Sequence, residues 1–539
     1  MTLSEWFIFF LAVQVVHFLG TWKLYVKAGR KAWEAAVPVY NAVVLMKIIN
    51  RPWWWVILLF IPVINVIMLP VIWVETIRSF GKNTTTDTIL VIVTLGFYIY
   101  YVNYMLDVNH IEDRDLKPRT GTGEWVSSIL FAVVAATLVH TYFMQPYTIP
   151  TGSLERTLLV GDFLFVSKFH YGARTPMTAI SFPMVHDTIP LVKTKSYNSD
   201  IQYPYFRLPG FQKIKRNDIV VFSWPVDTVN AFQQWGDGKY HYKPIDKKSN
   251  YVKRCVGIPG DSLSVVDGYV HINGKQTELP DRAEIQFSYS GEFKQSESSY
   301  SALNPDYLYE RYGLKPNEFS AFIFDERTQK TYLRKSFNRA LLTNESAELF
   351  KNNGGVTGLE RNIYPKGVKV PGTFPNKGKV NWNLDNFGAI YIPEAGKTVK
   401  IDLESFYLYR RIIEVYEGSE MGIDNKLSVN GTQVLLNGNP IDTYTFKQDY
   451  YWMMGDNRHN SEDSRAWGYV PATHIVGKPV FIWMSWDTNA KGLFNKIRWE
   501  RLFTTVGGNG KPVSYFYYFL ITLIGYIVFS KYRKRKKAA

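Results

Sequence analysis

Residues 145–168 read QPYTIPTGSLERTLLVGDFLFVSK, and the interpretation of the whole chain turns on them. Pro146 and Pro150 disfavour helix in the residues that precede them, so the stretch opens extended. Thr151-Gly152-Ser153 follows, where a glycine lets the backbone turn tightly and expose the serine hydroxyl. LLVGDFLFVSK predicts a pair of β-strands broken at Gly161-Asp162. Immediately before the stretch lies Val126–Phe143, apolar and close to the roughly 20 residues that a helix needs to cross a bilayer. A serine presented just outside a membrane is a candidate nucleophile if a base accompanies it. Taken alone, the same TGS reads as a polar turn.

Four other apolar runs qualify as spans: Leu3–Leu19, Pro52–Val74, Asp87–Leu106 and Ser514–Ser530. The first has neither a basic leader nor a small-residue cleavage site, so it reads as an anchor. Pro62 and Pro70 interrupt the second, for which a re-entrant hairpin is the alternative. The net charge is +15, and much of the excess flanks these runs: six basic residues in Lys531–Lys537 and six in Trp22–Pro52 against Glu34 alone. Basic flanks stay in the cytoplasm. The expected order is therefore N-terminus outside, Trp22–Arg51 inside, Glu75–Thr86 outside, Asp107–Trp125 inside, Gln145 to about Pro512 outside, and the tail inside. Arg78 and Lys82 fit poorly in an outer loop. With the charge at membrane edges and no continuous basic patch, a nucleic-acid partner is not expected.

The expected fold is a mostly β domain with an N-terminal multi-span helical membrane region and one C-terminal transmembrane helix. The boundaries are 1–124 for the membrane region (about three spans), 125–144 for the anchor, 145–513 for the outer domain, 514–530 for the last helix and 531–539 for the tail. Within the outer domain, short runs such as Asp162–Val166, Asp218–Phe222, Ser262–Ile272, Ala389–Ile392, Thr432–Leu436 and Val480–Trp483 predict strands. Leu403–Tyr416 predicts a helix. Two insertions stand out: a Pro-rich arm at about 172–213, expected to lie extended near the membrane, and a polar, irregular stretch at 274–373. Cys255 is the only cysteine, which excludes an intrachain disulfide, and its apolar strand pattern predicts a buried structural thiol. The histidines show no metal-ligand spacing. Asp456–Trp467 fails as a calcium loop, with Ser461 and Trp467 where glycine and glutamate are needed. No metal or cofactor is expected.

Two further stretches supply what Ser153 lacks. In YVKRCVGIPGD, Tyr251–Asp261, Lys253 stands among strand formers, where desolvation lowers an amine's pKa and lets it accept a proton from a hydroxyl. GDNRHNSEDSR, Gly455–Arg465, is a dense cluster of small polar and charged residues between strands. In this order, after a membrane span, and with NDIVVFSWP at Asn217–Pro225 between them, the motifs resemble those of the bacterial type I signal peptidase, or leader peptidase. The resemblance covers Val126–Trp486.

That resemblance implies an all-β Ser-Lys dyad endopeptidase that removes signal peptides from secreted preproteins after small residues at −1 and −3. It would sit in the cytoplasmic (inner) membrane, with the catalytic domain on the outer, periplasmic face and the C-terminus in the cytoplasm. By position, Ser153 would be the nucleophile and Lys253 the general base. The Ser153 amide and Thr151 hydroxyl would form the oxyanion hole. Ser461 would orient the lysine, and Asp463 and Arg465 would brace the site as an ion pair. Tyr147, Ile149, Tyr251 and Val252 would line the substrate pockets. The partners implied are signal-peptide-bearing preproteins and the lipid bilayer, with the protein-export machinery a candidate for the N-terminal spans. Departures are Thr151 for serine, His459 for aspartate and Leu154 for methionine, none of them removing a dyad residue, and a dyad spacing wider than in compact members. A self-processing Ser-Lys peptidase and a catalytically silent membrane-anchored binding protein are the alternatives, separable by whether a preprotein mixed with the purified protein is cleaved.

Overall fold

The computed structural model describes residues 2–538 except 118–119, 230–239, 295–304, 316–318, 320–321, 326, 328–329, 334–335, 354, 489 and 491. The chain divides into two compact units: Met1–Met144 with Gly172–Pro209 and Thr228–Lys248, and Gln145–Tyr171 with Gly210–Asp227 and Ser249–Ala539.

In the first unit, Leu3–Lys27 is a single helix opened by a capping box between Thr2 and Glu5. With Gly121–Phe143 it is one of two helices, among the described residues, long and apolar enough to cross a membrane. The segments between them depart from the expected spans. Pro52–Val74 breaks into Trp55–Leu58 and Ile64–Ser79, with Pro62 in the break, and Asp87–Leu106 folds as Thr85–Val93 and Tyr98–Tyr104, bent by 117°.

Their ends also meet. Glu75, which the sequence placed across the membrane from Arg51 and Arg114, forms ion pairs with both, and Arg51 lies 2.8 Å from its carboxylate. Nearby, His110 contacts the Ile48 carbonyl at 2.8 Å and the Ile111 amide donates to Ser79 at 2.9 Å. Lys27, at the end of the first helix, pairs with Asp107. The chain ends flanking the broken segments thus lie close together. The physical reason is visible in the residues: a buried carboxylate is retained only beside cations, and the two breaks let the chain double back to bring them. Pro52–Val74 thus has the broken shape that the re-entrant alternative expects.

The Pro-rich arm, Gly172–Pro209, is a long irregular hairpin held by isolated bridges from Arg174↔Arg207 to Thr188↔Lys195. It belongs to the membrane unit: Tyr203 stacks on Trp6 at 4.4 Å and accepts a hydrogen bond from Asn65.

The second unit is mostly β. Its main sheet contains β1 (Met144–Thr148), β2 (Asp162–Ser167), β3 (Ile219–Ser223), β4 (Asn250–Gly257), β5 (Tyr450–Met454), β6 (Val470–Pro471), β7 (Ile475–Ser485) and β8 (Thr504–Thr505). The order is β1-β2-β7-β3-β4-β5-β6, with β8 against β7. The predicted strand pair around Gly161-Asp162 is a single strand, β2. Gly161 lies at the turn before it with φ +90°, and a Cβ there would sit 1.9 Å from the Trp486 carbonyl oxygen, so the turn is fixed by close backbone approach. One face of the sheet packs Ile149, Leu154, Leu164, Val166, Ile219 and Val221, and the other Val220, Phe222, Cys255, Met453 and Trp467. This is the period-2 alternation of a sheet buried on both faces. Cys255 is fully buried, and burial pushes its thiol pKa well up. A second sheet, Ser262–Val266, Tyr269–Ile272, Lys275–Gln276 and Phe387–Tyr391, shares a core with the helix Ser405–Arg411, which continues through wider turns to Tyr416.

The stretch 274–373, expected to be irregular, instead holds a three-stranded sheet (Gln286–Phe293, Ser336–Thr343, Val356–Arg361), a two-stranded one (Phe322–Asp325, Lys330–Leu333), two helices (Pro305–Tyr312, Asn344–Asn353) and its own core of Phe287, Phe293, Phe319, Phe337 and Phe350. Those phenylalanines lie far apart in sequence, so no local apolar run announces them. The helix Phe516–Ala538 runs on through the basic tail.

Cysteines placed at Lys31 and Lys82 in a Cys255→Ser background should label alike with an impermeant thiol reagent in intact cells, both protected. Labelling of the Lys82 position alone would restore the outer loop.

Candidate active site

Ser153 sits in a short turn of 3₁₀ helix, Gly152–Leu154, immediately after β1. The turn is held from the opposite wall. The Asn457 amide donates to the Ser153 carbonyl at 3.1 Å, and Asn457 Nδ2 donates to the Gly152 carbonyl at 3.2 Å. Gly455 underlies it: a Cβ there would lie 2.6 Å from the Ser153 carbonyl oxygen and 2.2 Å from Ser461 Oγ. Only a residue without a side chain lets the two walls approach this closely.

Lys253 lies mid-strand in β4, opposite Val220 of β3, and strand alternation places it on the same strand face as Tyr251 and Cys255. Its Nζ is 2.7 Å from Ser153 Oγ, and both residues are buried, at 3% and 7% exposure. Burial lowers the lysine pKa to about 8, against the pull of Asp463, Glu462 and Asp456, which favour the ammonium. At neutral pH an appreciable fraction of the amine is therefore already uncharged, in contact with a hydroxyl.

Asp463 and Arg465 form a fully buried, bidentate ion pair at 2.8 and 2.9 Å. Asp463 also accepts from the Gly455 amide, and Arg465 donates to the Arg458 and Leu384 carbonyls. The arginine thus ties the loop's two ends together. Burial raises the carboxyl pKa of Asp463, but the adjacent guanidinium and the hydrogen bonds from Arg465 and the Gly455 amide more than offset it, leaving the acid below its ordinary value. Ser461 departs from expectation. Among the described residues its Oγ has no properly formed hydrogen bond, and the expected contact to Lys253 is not made. The hydroxyl instead stands near the Asp463 carboxylate, pressed against Gly455.

Of the expected pocket residues, Tyr147, Ile149 and Val252 share one apolar cluster beside Leu154. Tyr251 projects to the other face, stacked on Trp224 at 5.2 Å and edge-on to Trp467 at 5.4 Å, with Lys253 Nζ 5.3 Å from its ring centre. Thr151 precedes the turn, exposed and extended.

Several residues that the sequence did not single out complete the site. Arg254 pairs bidentately with Asp456 at 2.6 and 2.7 Å, both fully buried, and Thr157 donates to the same carboxylate. His459 bridges the Ser288 amide and Asp385. Glu462 stands at the rim, with enough protein around its carboxyl to raise the pKa. The density of small polar residues in GDNRHNSEDSR signalled a site, but the partners of Asp456, Asn457 and His459 lie some 75 to 300 residues away.

A buried amine in contact with a buried hydroxyl is an arrangement suited to serine peptidase chemistry. The chain matches the family described as signal peptidase, peptidase S26, over residues 122–320 and 395–486, more than half its length, and belongs to that family. It is similar to signal peptidase I of Buchnera aphidicola subsp. Acyrthosiphon pisum (strain APS), 24% identical over 76% of this chain and 95% of the relative. Signal peptidase I of Helicobacter pylori (strain ATCC 700392 / 26695) is 25% identical over 72% and 93%. That of Rickettsia massiliae (strain Mtu5) is 30% identical over 30% and 46%. Residues 33–113 match a separate family of unknown function (DUF5684). The protein is a signal peptidase, a membrane-bound hydrolase acting on signal-peptide-bearing preproteins.

Gly455→Ala should keep the fold, read by circular dichroism, and lower kcat for a purified preprotein by about a hundredfold, the cost of an ångström-scale misplacement of a reacting group. Full turnover would show that the nucleophile turn does not depend on the close approach.

Proposed function

We propose that cleavage proceeds through a Ser153–Lys253 dyad, and the observation that carries this reading is the 2.7 Å contact between two buried groups of which one is a desolvated amine. Neutral Lys253 takes the Ser153 proton as Oγ attacks the carbonyl carbon of the substrate's −1 residue. The tetrahedral oxyanion is met by the Ser153 amide and the Thr151 hydroxyl. Collapse breaks the peptide bond, and the Lys253 ammonium returns its proton to the leaving amine. The same amine, neutral again, deprotonates the water that releases the acyl group from Ser153.

The substrate would lie extended beside β1 and β4, pairing through main-chain hydrogen bonds. The cluster of Tyr147, Ile149 and Val252 would line the pockets for the small −1 and −3 side chains. Asp463 and Arg465 hold the Gly455 wall against which the turn rests. The basic residues from Lys23 to Lys82 and those of the tail favour the cytoplasm, with the N-terminus and the catalytic unit on the periplasmic face. The apolar part of Phe516–Ala538 would be a further span. In this reading the export machinery meets the re-entrant region.

Ser153→Ala and Lys253→Ala should each abolish turnover of a purified preprotein without unfolding the enzyme, since the two act as one unit. Turnover by Lys253→Ala would end the dyad reading. For the wild type, activity should rise with pH through about 8: below it Lys253 is an ammonium and cannot accept the serine proton, above it the amine is free. A flat profile through that region excludes lysine as base.

Thr151→Val removes one hydroxyl while keeping shape, and should cost about 10²–10³ in kcat with little change in KM, because the bond strengthens only as charge develops. Thr151→Ser should stay active. Unchanged kcat in Thr151→Val would assign the second donor elsewhere.

A further inference from the structure

We infer that the subdomain inserted between residues 274 and 373 acts as a brace for the nucleophile turn, and that Lys315 is a positioning residue for Ser153 through its ion pair with Glu155. The inference rests on the reading of Ser153 as nucleophile.

Glu155 lies two residues beyond Ser153 and is 3% exposed. Lys315 of the insertion reaches it at 2.8 Å, and Lys315 is itself buried. A buried ion pair is weak evidence for stability, because desolvating both charges offsets most of their attraction. Its value here is directional: a carboxylate anchored at one point fixes the backbone that carries it. The next residue repeats the contact. Arg156 adopts a left-handed conformation, φ +73°, and its Nη2 donates to the Tyr312 carbonyl at 2.7 Å. Gly313 makes room for that guanidinium, since a Cβ there would lie 1.9 Å from Arg156 Nη2. Two consecutive residues after the nucleophile are thus clasped by residues 312–315.

The clasp is anchored. Leu308, Tyr312 and Leu314 are fully buried in the subdomain's own core, with Tyr312 edge-on to Phe350 at 4.8 Å. The subdomain also grips the opposite wall. The Gln286 amide donates to the Asp456 carbonyl and the Arg458 amide to the Gln286 carbonyl, each at 2.9 Å. The Ser288 amide donates to His459, and Arg339 donates to Asn460 at 2.9 Å. Asn457, between these anchors, is the residue that holds the Ser153 carbonyl. One rigid body therefore touches both walls between which the serine sits.

The test uses the full-length protein in detergent with a purified preprotein. Lys315→Met should lower kcat by about ten- to a hundredfold, the scale of a small misplacement of a reacting group, with KM within about twofold. Lys315→Arg, which keeps the charge, should restore most of kcat. A folded Lys315→Met enzyme with parental kcat overturns the inference. If Lys315→Met fails to fold, the neutral pair Glu155→Gln/Lys315→Met leaves no unpaired charge: reduced kcat at parental KM supports the brace, and parental kcat overturns it. Turnover by Ser153→Ala would fell the reading of Ser153 itself, whichever way the Lys315 variants behave.

Discussion

The catalytic unit depends on an amine kept out of water. An ammonium in the interior loses hydration that nothing apolar replaces, so burial drives the proton off, and Lys253 titrates near pH 8 instead of above 10. Three carboxylates pull the other way. Asp463 and Asp456 are each committed to an arginine, Arg465 and Arg254, by bidentate bonds. The positive partner of each pair limits how strongly its acid can favour a charged lysine.

The same pairs carry the geometry. Breaking a buried ion pair by deleting one partner costs about 3–5 kcal/mol, because it strands the other charge. Such pairs therefore fix a loop against displacement even where their net contribution to stability is small. Asp463 and Arg465 fix Gly455, Asp456 and Arg254 fix Asn457, and both walls press on the main chain of residues 152–153. The site is a narrow gap between two rigid surfaces, and its dimensions are set by backbone contacts at glycines more than by the catalytic side chains.

In the membrane unit a different charge constraint operates. Glu75 is buried and is shared by Arg51 and Arg114, which draws three segments together at one end of the helical region. The consequence is that two apolar runs, Pro52–Val74 and Asp87–Leu106, break and fold back in place of continuing as single helices.

The sequence by itself determined the elements whose physics is local. Strand alternation around Lys253, the apolar helix before Ser153, the glycine turn at Gly161 and the burial of Cys255 all follow from neighbours within a few residues. The ordered motifs around Ser153, Lys253 and Asp463 identified the family because their spacing is tied to one fold. What the tertiary structure decided rests on partners far apart in the chain. Glu75 meets Arg114, Thr157 meets Asp456, and Lys315 meets Glu155, and a charge in a sequence does not announce the charge that will neutralise it. The core of the 274–373 subdomain was hidden for the same reason, its phenylalanines being scattered across strands and helices. Ser461 marks the limit from the other side: its place beside Asp463 was legible, but whether its hydroxyl reached Lys253 depended on sub-ångström packing against Gly455. Burial and long-range pairing are properties of the folded chain, and they set both the lysine's protonation and the folding back of the broken apolar runs.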